Sequence, residues 1–568
     1  MSTGERPKAR QSQLVTTYGV GSLFPAGDQS FMICGIDEWD EKWSPAVDEP
    51  RLARSLDVHT FHAPASGKRT GDVPVVRFPT YHYCPECRRL DRHWNFDAKK
   101  MQCSDCLRDL TPSRFVACCE NGHIEDFPYF NWTHRGSDVP DGPHRMTLES
   151  QGSSSSLADI VIKCSCGVPA HDLDGSFGRN ALSNIKSCGG RRPWLPDASD
   201  EQCEKPLRAL QRGSSNVWFG AVRSSISIPP WSSPNAQFVT RHWVVLEHLP
   251  ESALAAALPA MIEGRPGLSV DGIVDVVRQR KGLETTAQPS DRDLRDEEYR
   301  ALVDGNEGGP LDTFQCVGVE VDVRVRALVA QVSRANRLRE VRALQGFSRV
   351  TPMVTDTTNP RLARLSEAHL HWLPATEVLG EGIFVRLSED AITAWEKQPL
   401  ARQRHELLDQ SLRRRGAESG APILPAPSAR FVAIHSLAHA LLQEFSLDAG
   451  YPIGSLRERI YAEETQSGLL IYTASSDAAG SLGGLAALAD EQRFADTLSA
   501  ALSRAGWCSN DPVCSESGPS GTDGLNLAAC HACLLLPETS CEHRNIFLDR
   551  VSLVGNIDSP TGGLVSSL

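Results

Sequence analysis

Cysteine placement constrains this chain more than any other feature. Ten of its seventeen cysteines lie between Cys84 and Cys203, and five more lie between Cys508 and Cys541. "CPEC" at 84–87 and "CSDC" at 103–106 give Cys-x2-Cys, fifteen residues, Cys-x2-Cys. The two-residue gap lets both thiolates of a knuckle face one ion, and the longer gap closes a hairpin that brings the second knuckle round. Four sulfur ligands leave no position for water, so Cys84, Cys87, Cys103 and Cys106 read as a structural zinc site. An iron–sulfur cluster is the rival occupant of four such thiols.

The other clusters are looser. Cys164 and Cys166 of "CSCG", followed by Cys188 and Cys203, offer four thiols in a turn-rich region and are grouped as a second zinc site. "CCENGHIEDF" leaves two readings open: Cys118 or Cys119 ligating with His123, or a turn with a buried thiol and a hydrogen-bonded histidine. Near the chain end, "WCSNDPVC", "CHAC" and Cys541 supply five cysteines for four places. The expected set is Cys514, Cys530, Cys533 and Cys541, with Cys508 an unresolved competitor for the place of Cys514. His531, inside the knuckle, is read as a non-ligand. Two to three structural zinc ions are therefore expected, and the isolated Cys34 and Cys316 are read as small buried hydrophobes.

The 568 residues are too many for one hydrophobic core, and 40% hydrophobic content with 23% charged residues is that of a globular chain. No apolar run approaches a membrane span. "MSTGERPKAR" carries charge without an apolar stretch behind it, so no signal peptide is expected and the cytoplasm is the expected location. A reducing compartment also suits thiols that ligate metal rather than pair as disulfides. The net charge of −13 disfavours nucleic-acid binding by overall attraction, so a partner or a restricted groove would have to hold any DNA.

The expected architecture is α+β and multidomain, with a loop-rich zinc-ribbon region inserted near the N-terminus. A mixed α/β C-terminal domain carries its own four-cysteine zinc site. The divisions expected are 1–77, a mixed unit; 78–210, the cysteine-rich region; 211–420, a middle α+β region; and 425–568, the C-terminal zinc domain. The Pro-rich "APILPAPSA" at 421–429 separates the last two, and the serine tract at 153–156 reads as a surface loop. Residues 30–39 read as a strand, 216–231 and 241–249 as two more, and 251–283 as helical. An acidic loop is expected at 284–312 and a long helix within 319–345, where Val and Leu recur at three and four. Strand, turn and helix follow at 381–396.

Few motifs suggest catalysis. "IHSLAHALLQEF" (434–445) reads as a buried amphipathic helix with His435 and His439 one turn apart. That spacing serves zinc proteases, but Ser436 stands where their general-base Glu should be. Hydrogen-bonded histidines are the reading adopted. The alternative is a metal-dependent nuclease or hydrolase using His435, His439 and Asp477. "GLLIYTASSDAAGSLGGL" (468–485) reads as a buried strand, a polar turn with Asp477, Gly480, Gly483 and Gly484, and a helix; it lacks the Lys-Ser/Thr of a P-loop. "YGVGSLF" offers Gly19 and Gly21 without the third glycine of a dinucleotide fingerprint. There is no Walker A, no D-E-A-D/H-type box, no G-x-S-x-G elbow and no kinase motif set, and there is no internal repeat.

"RQSQLVTTYGVGSLF", "CPEC…CSDC…ACCENGHIEDFP" and "RGSSNVWFGAVRSSISIPPW" resemble the DrmB family of bacterial DISARM anti-phage islands. So do "LGEGIFVRL", "HSLAHALL", "GLLIYTASSDAAGSLGGL" and "CHACLLLPETSCEHRNIFLDR". The resemblance runs from about residue 10 to 550, and the last 140 or so residues are similar to a cysteine-bearing domain fused to some superfamily 2 helicases. It implies a non-catalytic subunit that binds a separate helicase, DrmA, and engages foreign DNA through that complex, without a membrane. The family's C-terminal metal-binding cysteines map onto Cys514, Cys530, Cys533 and Cys541.

Overall fold

A computed structural model describes residues 8–66, 72–139, 141–152, 156–285, 287–351, 362–368, 371–419, 425–473, 484–516, 518–521 and 524–565. Most of the serine tract, the start of the Pro-rich passage and the turn holding Asp477, Gly480 and Gly483 lie outside these residues. The chain forms two compact units, each assembled from separated segments: 1–48, 56–224 and 342–376 in the first, and 49–55, 225–341 and 377–568 in the second.

The first unit is built from short strands. A two-residue turn with Gly27 at positive φ joins Leu23–Ala26 to Gln29–Ile33, and Val75–Arg77 completes a three-stranded antiparallel sheet. The strand expected at 30–39 ends at Ile33, and the chain turns into the short 3-10 helix Ile36–Glu38. A six-stranded sheet runs in the order His171–Asp172, Ile160–Cys164, Met146–Ser150, Arg89–Arg92, Tyr81–Tyr83 and Thr111–Pro112. A further sheet places Phe115–Cys118 between Ile124–Asp126 and Arg208–Gln211.

"YGVGSLF" belongs to this unit's core. A Cβ at Gly19 would lie 2.5 Å from Leu344 Cδ2, and one at Gly21 would lie 2.4 Å from the Phe347 ring at a φ of +77°. These glycines permit close packing. Arg349, fully buried, donates to the carbonyls of Gly21, Val217 and Gly122 at 2.7, 2.6 and 2.8 Å.

In the second unit, Leu456–Tyr461 and Gly468–Thr473 pair antiparallel, and Gly468–Tyr472 pairs in turn with Gly382–Arg386. The helix Ala429–Ala449 packs on these strands, with Ile434, Leu437, Leu441, Leu442 and Phe445 in the main core. Ser428 caps it by accepting from the Phe431 amide. A smaller three-helix cluster, Pro234–Leu246, Glu251–Ile262 and Val270–Thr285, has its own core of Phe238, Val239, Leu254, Leu258 and Val277.

Three sequence expectations are corrected here. The helix expected within 319–345 is the strand Val329–Ser348, which runs inside a sheet. Burial on both faces removes the period of two, and the apolar spacing imitates a helix. The strand expected at 241–249 lies mostly in the helix Pro234–Leu246, started by Ser233 as cap and Pro234 in the first turn. Val244 and Val245 are exposed on its outer side. The acidic loop at 284–312 contains the helix Asp291–Asp304, opened by a reciprocal Ser290–Asp293 capping box. Its Glu298 is fully buried and grips Arg459 at 2.7 and 2.9 Å.

Candidate metal centres

Among the described residues, five groups bring four metal-donor atoms within 4.8 Å of one another. The first is Cys84, Cys87, Cys103 and Cys106. Its two knuckles have the same local geometry: Arg88 and Leu107, each following the second cysteine, adopt φ of 63° and 56°. Their amides donate to the carbonyls of Cys84 and Cys103 at 3.0 and 2.9 Å. Cys87 and Cys103 sulfurs are 3.7 Å apart. Zinc held by sulfur at about 2.3 Å places tetrahedral sulfurs about 3.8 Å apart, whereas a disulfide needs about 2.05 Å. All seventeen cysteines are free thiols.

The structure does not bring Cys164 and Cys166 together with Cys188 and Cys203, and this grouping is corrected to two separate centres. Cys188 and Cys203 join Cys119 and His123. Cys119 follows the strand Phe115–Cys118, and a turn through Gly122 at φ +87° returns His123 beside it. His123 Nδ1 lies 3.4 Å from Cys119 Sγ and 3.6 Å from Cys188 Sγ. Zinc–nitrogen and zinc–sulfur bond lengths imply a tetrahedral edge of about 3.5 Å. Glu201 Oε2 sits 2.9 Å from His123 Nε2, a carboxylate–histidine arrangement that orients the ring and fixes which nitrogen faces the sulfurs. Cys118 is not part of this set: it packs in the apolar core, where burial pushes its thiol up to about 12.

Cys164 and Cys166 instead meet His134 and His144. Cys164 ends the strand Ile160–Cys164, and His134 follows the short helix Tyr129–Thr133. His134 Nε2 is 3.4 Å from Cys166 Sγ while its Nδ1 donates to the Phe130 carbonyl at 2.7 Å. His144 Nδ1 is 3.3 Å from Cys164 Sγ. Neither histidine was singled out from sequence. The available signal was "HRGSDVPDGPH", two histidines bracketing a Pro/Gly loop just before a strand.

Near the chain end, Cys508 stands with Cys514, Cys530 and Cys533, and Cys541 does not. Sulfur separations are 3.5 Å for Cys508–Cys530 and 3.7 Å for both Cys514–Cys533 and Cys530–Cys533. Nearness in sequence misassigned Cys541, because "LLLPETS" leads it away behind buried Leu534 and Leu536. Burial pushes the Cys530 thiol up, but the Ala532 amide, Cys508 and Asn510 outweigh it and bring it to about 7, favouring the thiolate that binds metal. Cys541 lies with His435, His439 and Glu458, all four buried. A hydrolase using His435 and His439 would need water and substrate to reach two fully buried rings.

Two four-sulfur sets and two mixed cysteine–histidine sets on an α+β scaffold have the donor composition and spacing of a zinc-binding protein. Comparison with known families supports zinc binding in the C-terminal region. Residues 437–534 match the MrfA Zn-binding domain, and residues 10–219 match a domain of unknown function, DUF8724. The chain is similar to the DISARM protein DrmB of Bacillus paralicheniformis, with 31% identity over 94% of this chain and 98% of that protein. It belongs to the DrmB family of DISARM defence proteins. Among the described residues no helix is long and apolar enough to cross a membrane.

Proposed function

We propose that the chain is a non-catalytic, zinc-stabilised subunit that associates with a DrmA-like superfamily 2 helicase and supports its engagement of phage DNA. The observation that supports this reading is that each cysteine-containing group among the described residues gathers four donor atoms within 4.8 Å, the number a structural zinc site uses, whereas a catalytic zinc site keeps one position open for water. The chain also lacks nucleotide-hydrolysis motifs, so the ATPase belongs to the partner. Its net charge of −13 assigns much of the phosphate contact to that partner as well. In this reading 78–210 and 425–568 act as zinc-pinned modules of a bacterial cytoplasmic complex, the latter being the helicase-associated part.

Co-expression with the helicase should give a co-purifying complex. That complex should bind DNA more tightly than either subunit, while the isolated chain hydrolyses no ATP and cuts no DNA with added divalent metals. ATP hydrolysis by the isolated chain, or cleavage of DNA by it with added divalent metals, would overturn it.

A further inference from the structure

We infer that His435, His439, Glu458 and Cys541 form an additional structural metal centre, with a two-nitrogen, one-oxygen, one-sulfur donor set suited to zinc. His435 and His439 lie one turn apart on Ala429–Ala449, Glu458 is in the strand Leu456–Tyr461, and Cys541 comes from the loop beyond Pro537. Their donor atoms lie within 4.8 Å of one another. The two histidines and Glu458 have no solvent exposure, and Cys541 has 4%.

The hydrogen-bond arithmetic is poor without a cation. Nδ1 of His439 donates to the Leu534 carbonyl at 2.8 Å, so in the neutral ring Nε2 is bare. That bare nitrogen faces Glu458 Oε1 at 3.3 Å, lone pair against lone pair. His435 Nε2 approaches the same oxygen at 2.9 Å and Cys541 Sγ at 3.3 Å, while Glu458 Oε2 has no hydrogen-bond partner. A buried carboxylate oxygen left unpaired is costly. A divalent cation among the four donors replaces the His439–Glu458 lone-pair contact with ligand bonds.

Two of the three separations fit as well. Zinc at ordinary ligand distances sets nitrogen–oxygen and nitrogen–sulfur edges of about 3.4 and 3.5 Å. Two of the three contacts are 3.3 Å, and the 2.9 Å contact is the short edge. Charge supplies an independent argument: one carboxylate and one thiolate with two neutral imidazoles cancel a doubly charged ion, which suits a site without water. The four-thiolate sets would retain net negative charge, and each has two members that are only partly buried. The bond to Leu534, which follows Cys533, also fixes the His439 ring as a second-sphere carbonyl does in zinc sites and ties this centre to the neighbouring four-cysteine one.

The test uses the full chain. Metal per chain, measured by mass spectrometry, should fall by one equivalent in Glu458→Gln and in Cys541→Ser, while Cys530→Ser loses the separate four-cysteine ion. Cadmium-113 exchanged into wild-type protein, which needs no substitution to fold, should give a resonance from a site with a single sulfur, distinct from the sulfur-rich centres. Unchanged metal content in both variants, or cadmium signals from sulfur-rich sites alone, would establish a metal-free hydrogen-bond network and overturn the proposal.

Discussion

Replacing Arg349 by methionine isolates one structural device of the first unit. The guanidinium is fully buried and gives three charge-assisted hydrogen bonds to backbone carbonyls, while lying over the rings of Phe347 and Trp194 at 4.7 and 5.3 Å. Three such bonds contribute roughly 6 kcal/mol at about 2 kcal/mol each. Burial opposes them: it pulls the guanidinium down to about 10 from its ordinary 12.5, a cost of about 3 kcal/mol that methionine would not carry. The net loss is therefore about 3 kcal/mol, or roughly 6–12 °C in Tm for a unit of this size. Arg349→Lys should do no better, since it keeps the buried charge but cannot span three carbonyls. Because the Gly122 carbonyl belongs to the Cys119–His123 turn, zinc should also leave that centre faster. Thermal unfolding and zinc release to a chromogenic chelator read the two effects. A methionine or lysine variant within about 2 °C of wild type, with unchanged release, would refute the reasoning.

Three other outcomes follow from particular contacts. Glu542, its side chain 7% exposed and held by Arg295 at 2.9 Å and Arg459 at 3.2 Å, is driven upward by desolvation, but these arginines prevail and bring its carboxyl from 4.5 to about 2. Its contribution of about 3 kcal/mol is fully present above pH 4.5 and disappears as pH falls through about 2, so Glu542→Gln should destabilise at pH 7 and flatten the acid limb of a stability–pH profile. Glu201→Gln should weaken zinc at the Cys119 centre by roughly 10–100-fold, measured by chelator competition, while leaving the Cys84 centre unchanged. Gly21→Ala should cost about 2–4 kcal/mol in denaturant unfolding, since the new methyl meets the Phe347 ring on a left-handed backbone.

The sequence displayed some of these features far better than others. Cys84, Cys87, Cys103 and Cys106 are gathered by local spacing, so their convergence needs only a hairpin. His134 and His144 meet Cys164 and Cys166 through a sheet and a helix end, and no local interval encodes that approach. Cys541 shows the opposite error: eight residues from Cys533, it belongs to a different group because the intervening leucines turn into the core. Glu458 was invisible, as an acidic residue in "LRERIY" ordinarily signals an exposed strand face. Here Glu458 faces His435 and His439, while the neighbouring Arg459 is paired with buried Glu298. Burial of paired charges defeats any reading based on hydrophobic alternation.

The two units should therefore depend on metal to different degrees. In the cysteine-rich region between Thr80 and Gln211 the strands have two to five residues, and apolar burial is divided among a modest core of Phe115, Phe127, Tyr129, Trp132 and Ile162, a small cluster at Phe96 and Leu110, and a third that takes in Val116 and Ile124. Such short strands gain little from burial against the entropy of the loops between them, and three donor sets supply the missing cross-links. The second unit instead rests on a large core around Ala429–Ala449, with its metal-donor sets close to the final segment. Chelation under native conditions should expose amides of 78–210 to hydrogen exchange first, while the strands Gly468–Thr473 and Gly382–Arg386 keep their protection. Simultaneous loss of protection in both would mean that the large core does not stand without metal. The centres would then be integral to folding throughout, instead of substituting for apolar burial where it is thin.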